Sequence, residues 1–145
     1  MGGYARLVPA KDFYHPHVVD ALVRDGWTVT HDPLPLRVGG KDMFFDLGAE
    51  RFVGAERGGE RIAVEVKSFT GPSEVRELEI ALGRFVLYGD ALARVDPDRV
   101  LFLAVREQVY LDIFEEPIGR MLLDNKRVRL VVVDATRREV VRWIR

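Results

Sequence analysis

Two runs of apolar residues constrain the fold of this chain more than any other feature of its sequence. Residues 100–105 read Val-Leu-Phe-Leu-Ala-Val, and residues 128–133 form a second, nearly continuous apolar run. Runs of this length without polar alternation are typical of strands covered on both faces. We therefore expect residues 100–105 in the middle of a sheet, residues 128–133 as another buried strand, and helices packed on the sheet.

Helical spacing of apolar residues occurs on either side of a central strand-rich region. Residues 11–24 form the first such stretch, with Asp12 as a candidate N-cap and Gly26 as the stop. Residues 73–92 form the longest one, with Ser73 as a plausible cap. The apolar stripes of the two helices are Phe13, Val18, Ala21 and Leu22, then Val75, Leu78, Ala81, Leu82, Phe85 and Leu92. Weaker helical segments, divided by Pro117, follow at residues 109–114 and 118–123.

Shorter patterns between the helices predict further strands. Residues 27–30 indicate a short strand and residues 43–47 another, separated by an irregular loop rich in proline and glycine. Residues 51–55 and 61–69 flank Gly58 and Gly59, which predicts a hairpin with a tight turn. Residues 140–144 fit either an edge strand or a final helical turn.

The order helix, antiparallel strands, long helix, strand, helix, strand predicts a mixed α/β sheet with helices on it. The chain has 145 residues, of which 48% are hydrophobic, so we expect a single domain over residues 1–145. No cysteine is present, which excludes disulfides and thiolate metal sites and fits the reducing cytoplasm. The sequence shows neither a signal-peptide core nor an apolar run of the roughly 20 residues that span a membrane.

The formal net charge is −1, which excludes binding of nucleic acid by overall charge alone. Residues 118–145, however, carry eight basic and three acidic side chains, a local net charge of +5. This segment fits a solvated basic edge, or a surface for phosphates or an acidic partner. Any DNA contact must therefore be a local patch.

Charged side chains interrupt two apolar strands. In residues 62–69 the side chains alternate, so Glu65 and Lys67 share one face. An ion pair on an exposed sheet face would explain these two residues by themselves. Asp46, however, lies in the apolar stretch 44–47, and Glu50 follows at the same strand parity.

A two-residue turn at Gly58 and Gly59 would place Glu50 opposite Lys67, whereas Asp46 would need a bend near Gly48 to approach Glu65. Carboxylates grouped around one lysine would suit Mg²⁺ or Mn²⁺, with the lysine orienting an attacking water.

An aspartate followed by Glu-X-Lys at the end of a strand after a hairpin resembles the PD-(D/E)XK nuclease fold. The matching residues are Asp46, Glu65 and Lys67. That resemblance implies a restriction-endonuclease-like mixed β-sheet flanked by α-helices. More narrowly, the chain resembles the XisH family, the fdxN element excision controlling factors. The strings that carry this resemblance are Asp-Gly-Trp at 25–27, Thr-His-Asp-Pro at 30–33, Asp-Leu-Gly-Ala-Glu at 46–50, Ile-Ala-Val-Glu-Val-Lys-Ser-Phe at 62–69 and Leu-Phe-Leu-Ala-Val at 101–105.

The resemblance implies a role in programmed excision of a DNA element during heterocyst differentiation in cyanobacteria. In that process the family acts beside a site-specific recombinase and a small partner protein, XisI. DNA, an XisI-like protein and a recombinase complex are thus the implied partners, and a homo-oligomer stays open.

Two functions follow from the resemblance. The first is a divalent-metal-dependent endonuclease, with Asp46 and Glu65 as ligands, Glu50 as an extra ligand, and Lys67 positioning water. The second is a catalytically inactive regulatory or assembly protein. Three further residues are candidates for lining the site: His15, Tyr88, and Arg84, which stands where the family often has glutamine.

Overall fold

A six-stranded mixed sheet organises the chain, which the computed structural model describes over residues 11–52 and 59–145. Its strands are β1 (Thr28–His31), β4 (Leu47–Phe52), β5 (Gly59–Val66), β6 (Arg99–Arg106), β7 (Leu130–Asp134) and β8 (Glu139–Ile144), in the spatial order β1-β4-β5-β6-β7-β8. A separate hairpin consists of β2 (Leu34–Val38) and β3 (Lys41–Phe45). The helices are α1 (His15–Arg24), α2 (Glu74–Val95), the single turn α3 (Glu107–Val109), a π-helical turn (Tyr110–Phe114) and α4 (Pro117–Asp124).

The predicted mixed sheet flanked by helices is confirmed. Strands β5, β6 and β7 are parallel to one another, and the remaining neighbours pair antiparallel. β6 lies inside the sheet and is buried on both faces, as its apolar run predicts. β8 is an edge strand, which settles the choice between a strand and a helical turn at residues 140–144.

Two apolar cores cover the two faces of the sheet. On one face α1 packs through Val18, Ala21 and Leu22 against side chains of β4 to β7. On the other face α2, the π-helical turn, α4 and the β2–β3 hairpin pack together. Because the sheet is covered on both sides, β6 and β7 are apolar between their ends. β4 and β5 also carry charged side chains: Glu50, Arg51, Glu60, Arg61 and Glu65.

The first helix starts later than predicted. It begins at His15, not at residue 11, and the Asp12 carboxylate accepts hydrogen bonds from the backbone N–H of Tyr14 (2.9 Å) and of Ser68 (3.1 Å). Phe13 is 76% exposed and does not join the apolar stripe. A tertiary contact with the segment after β5 therefore determines the position of Asp12, which α1 does not use as an N-cap.

The long helix agrees with the prediction in place and cap. The Ser73 hydroxyl accepts a hydrogen bond from the Arg76 N–H at 3.2 Å. Val75, predicted on the buried stripe, is 51% exposed because it lies in the first turn, beyond the edge of the core.

The predicted hairpin exists, but its register was wrong. β4 and β5 pair antiparallel with Glu50 opposite Arg61, so Glu50 is not opposite Lys67. The strands leave residues 53–58 to connect them, more than a two-residue turn requires, and Gly59 already belongs to β5. Gly58 lies outside the described residues. Because the connection is longer, each residue of β4 pairs with a residue of β5 that lies six positions earlier than predicted.

The irregular loop predicted after β1 contains β2, which pairs with β3, a strand that overlaps the one predicted over residues 43–47. The two strands pair from Leu34 opposite Phe45 to Val38 opposite Lys41, around Gly39 at φ +58°. No helix within residues 11–52 and 59–145 has the length and apolar character needed to cross a bilayer.

Candidate functional site

Asp46 and Glu65 lie side by side where β3 leads into β4. Asp46 is held between Phe45 and Leu47, both fully buried and packed in opposite cores. The Asp46 N–H donates to Glu65 Oε1 at 3.2 Å, and the Val66 N–H donates to Asp46 Oδ2 at 2.7 Å. The expected bend near Gly48 is not needed, because the regular β4–β5 register already brings Asp46 level with Glu65.

The environment of this pair favours protonation. Glu65 is 4% exposed, and its burial, together with the nearby Asp46 charge, raises its pKa to about 7. Burial likewise raises the pKa of Asp46, against the lowering effect of the Val66 N–H and of the Arg84 charge. Two crowded carboxyl groups with raised pKa values are typical of sites where a cation or a proton is handled.

Arg84 of α2 is the cation closest to the pair. Its Nε donates to Glu65 Oε2 at 2.5 Å and its Nη2 donates to the Phe44 carbonyl at 3.2 Å. Its guanidinium carbon lies 4.1 Å from the centre of the Tyr88 ring, and that ring packs edge-on against Phe45. Arg84 therefore offsets one negative charge of the pair, and within the described residues Tyr88 contacts the pair only through Arg84, whose guanidinium it positions.

Lys67 follows the end of β5 and is held by a residue that the sequence analysis missed. Its Nζ donates to Glu77 Oε2 at 2.9 Å, and Glu77 Oε1 accepts the Gly71 N–H at 2.7 Å. The hydrogen bond from Lys67, followed by that from Gly71, lowers the pKa of Glu77. Glu77 lies in the first turn of α2, where acidic residues are common, so its place in the sequence offered no sign that it contacts Lys67.

A cavity of about 270 Å³ joins these groups. Asp46, Glu65, Lys67 and Arg84 line it, together with Asp12, the second residue that the sequence analysis missed. Asp12 is 34 positions before Asp46, and only the fold connects it to the site, so no local pattern could reveal it. Negative charge on Asp12 contributes to the raised pKa of Asp46.

His15 lies on the other side of Asp46. It is 3% exposed, and its Nε2 is 2.8 Å from Asp32 Oδ1. With Asp32 and Asp46 it lines a much smaller cavity of about 20 Å³. His15 is therefore buried on the far side of Asp46, paired with the more exposed Asp32.

The structure does not bring Glu50 to this cluster. Its carboxylate lies 3.4 Å from Arg61 Nε and 3.8 Å from Arg99 Nη2. It is four residues along the chain from Asp46, which corresponds to about 13 Å of extended strand. Glu50 thus belongs to an arginine cluster near the opposite end of β5.

The carboxylates of Asp46 and Glu65 can hold a hard cation such as Mg²⁺ with only two protein ligands. Among the described residues there is no group of three or more His, Cys, Asp or Glu side chains suited to a metal ion. Mg²⁺, however, is commonly bound by one or two carboxylates together with water and substrate phosphate. Asp46 and Glu65 meet that requirement, with Lys67 and Arg84 supplying positive charge for a phosphate.

Comparison with known proteins finds one family and two solved structures. The family model described as XisH protein matches residues 8–141. A crystal structure of an XisH family protein from Nostoc punctiforme PCC 73102 is 38% identical, with a TM-score of 0.82 over 92% of this chain and 100% of that chain. A crystal structure of a fdxN element excision controlling factor protein from Anabaena variabilis is also 38% identical, with a TM-score of 0.82 over 93% of this chain and 100% of that chain. No curated protein matches the chain.

Proposed function

This chain belongs to the XisH family, and from that premise we propose that it acts on DNA in the excision of a DNA element, as a divalent-metal-dependent endonuclease. The observation that carries the proposal is the Asp46–Glu65 pair beside Lys67 and Arg84 in one cavity. A solved relative described as a fdxN element excision controlling factor supports the link to excision.

The residues present fit Mg²⁺ or Mn²⁺. Asp46 and Glu65 supply carboxylate oxygens, the ligand type these cations prefer. Among the residues that the structure describes, only the Val66 N–H donates to the Asp46 carboxylate, at Oδ2, so Oδ1 can bind a cation. When bound, the cation supplies Lewis-acid stabilisation of charge on the phosphate.

The protein's own side chains supply the remaining steps. Lys67, at 26% exposure, reaches the cavity with an ammonium that orients an attacking water. Glu77 fixes this ammonium, so it is in place before substrate binds. Arg84, which donates to Glu65, is the second cation at the cavity and would contact a phosphate oxygen of the substrate.

Incubation of the purified chain with fluorescent DNA and Mg²⁺ or Mn²⁺ tests this function. The substrates are single-stranded, duplex and branched. We expect cleavage that falls at least about 100-fold in Lys67→Ala and in Asp46→Ala. Lys41→Ala, an exposed lysine on the β2–β3 hairpin, is the matched control and should cut like wild type. Cleavage that persists in both site variants would refute the assignment.

A second function has a specific observation in its favour. Arg84 is already paired with Glu65, and Lys67 is already paired with Glu77, so both cations that line the cavity have a carboxylate partner within the protein. Such an arrangement also suits a regulatory or assembly protein that has kept the fold without the chemistry and binds an XisI-like protein or a recombinase complex. Co-purification of that complex, together with unchanged excision in Lys67→Ala, would favour this function over the endonuclease.

A further inference from the structure

A second cavity opens at the same edge of the sheet as the carboxylate cavity. It has a volume of about 700 Å³ and lies where β6 ends at Arg106 and β7 ends at Asp134. Since β5, β6 and β7 are parallel, their carboxyl ends share one edge. That edge is where open α/β sheets commonly bind ligands.

A short bridge of residues separates the two cavities. Arg106 Nη2 donates to the Ser68 carbonyl at 2.9 Å, and the Ser68 N–H donates to Asp12 Oδ2 at 3.1 Å. Asp12 lines the carboxylate cavity and Arg106 lines the second one. One polymer could therefore cross the bridge and occupy both.

Aromatic rings stand at the rim of the second cavity. Phe13 is 76% exposed, and its ring centre lies 5.0 Å from that of Tyr14 and 5.9 Å from that of His17, which both line the cavity. The Arg106 guanidinium carbon lies 4.5 Å from the centre of the Tyr14 ring. An apolar ring left in water beside a cation–aromatic pair offers a face on which a planar group can stack.

Two unpaired side-chain nitrogens and an exposed positive charge belong to residues that line the cavity. Within the described part of the chain, His17 Nδ1 and Arg106 Nε are buried without a hydrogen-bond partner. Arg137 is exposed in the turn before β8 and lines the cavity. Glu107 and Asp134 also line it, and Asp134 Oδ1 accepts the Arg137 N–H at 3.0 Å. Because these carboxylates dilute the positive charge, phosphate attraction has to be supplemented by stacking.

We propose that the second cavity, with Phe13 at its rim, is a groove that binds one unpaired nucleotide of a single-stranded DNA segment. The phosphate next to that nucleotide lies in the carboxylate cavity. Phe13 stacks on the base, Tyr14 supports the Phe13 ring edge-on, and Arg106 and Arg137 contact the backbone. A fully paired duplex exposes no base face for Phe13 and is the poorer ligand. This inference rests on the proposed function for the identity of the polymer, and it adds which form of DNA is recognised.

Fluorescence anisotropy tests the groove without any cleavage. A labelled single strand of about 20 nucleotides and its blunt duplex are titrated with the full chain in EDTA. We expect tighter binding of the single strand, and about a tenfold loss of that affinity in Phe13→Ala. Phe13→Trp keeps the stacking face and should restore binding. Leu87→Ala removes a side chain of similar exposure (62%) on α2 and should change nothing.

The outcomes separate the groove from the chemistry. Equal single-strand affinity in wild type and Phe13→Ala, or tighter binding of the duplex, overturns the groove proposal, and the latter result would indicate phosphate contacts alone. If cleavage still depends on Lys67 in that case, the endonuclease proposal stands. Conversely, Phe13-dependent binding by a wild-type chain that cuts nothing supports the groove and refutes the chemistry.

Discussion

Replacing Glu65 with glutamine should remove a pH dependence of stability that the site itself creates. The folded-state pKa of Glu65 is raised from 4.5 to about 7 by burial and by the Asp46 charge. The native state therefore binds this proton more tightly than the unfolded chain does. Stability must fall as the pH rises from the unfolded-state pKa to the folded-state pKa.

The size of the effect follows from the two pKa values. Between pH 5 and pH 8, Glu65 should lower the free energy of unfolding of the wild type by roughly 2–3 kcal/mol. For a chain of this length that corresponds to a melting temperature lower by roughly 8 °C. The side chain is 4% exposed, so solvent screens little of this effect. Asp46, whose pKa is also raised, acts in the same direction.

Urea denaturation of wild type and Glu65→Gln at pH 5, 6, 7 and 8 measures the difference. The glutamine variant resembles the protonated form, so the two proteins should be similar at pH 5 and the variant more stable at pH 8. Glu79→Gln, an exposed position on α2, is the control and should follow wild type. Parallel curves for wild type and Glu65→Gln across this range would refute the reasoning.

Three further predictions concern the frame that holds the site. A Cβ at Gly119 would lie 2.2 Å from a backbone oxygen of the π-helical turn, so Gly119→Ala should cost about 3 kcal/mol in urea denaturation; a loss below about 0.5 kcal/mol would contradict that contact. Phe45 is fully buried, so Phe45→Ala should cost about 3–5 kcal/mol, and a wild-type melting temperature would show that the core there is loosely packed. Burial raises the pKa of Asp96, but hydrogen bonds from Arg61 and Arg99 outweigh it and lower the pKa. Asp96→Asn should therefore cost about 1 kcal/mol at pH 7, a difference that shrinks as the pH falls through the acid range; a difference that grows in acid would reverse the sign.

The parts of the fold that follow from local pattern were predictable. The apolar run of β6 led directly to an interior strand, and Ser73 marked the start of α2, because burial and capping leave periodic or positional signals. The strand predicted over residues 43–47 overlaps β3, but β2 and its pairing with β3 were missed, since prolines and glycines are typical of loops as well as of short hairpins.

The site was only partly predictable for a related reason. Asp46, Glu65 and Lys67 were identified because charge in an apolar strand is costly and conspicuous. Glu50 was grouped with them through an assumed two-residue turn, and the longer connection moved it to Arg61. Asp12 and Glu77 reach the site from separate elements, so only the tertiary structure shows that they belong to it.

The proposed chemistry requires that Asp46 and Glu65 together bind a divalent cation. Anomalous scattering from a crystal soaked with Mn²⁺ and a short DNA strand measures this binding. We expect a manganese peak about 2–2.3 Å from an oxygen of each carboxylate. A map in which manganese occupies other positions, while Arg84 still covers Glu65 and the space beside Asp46 contains no peak, would contradict it.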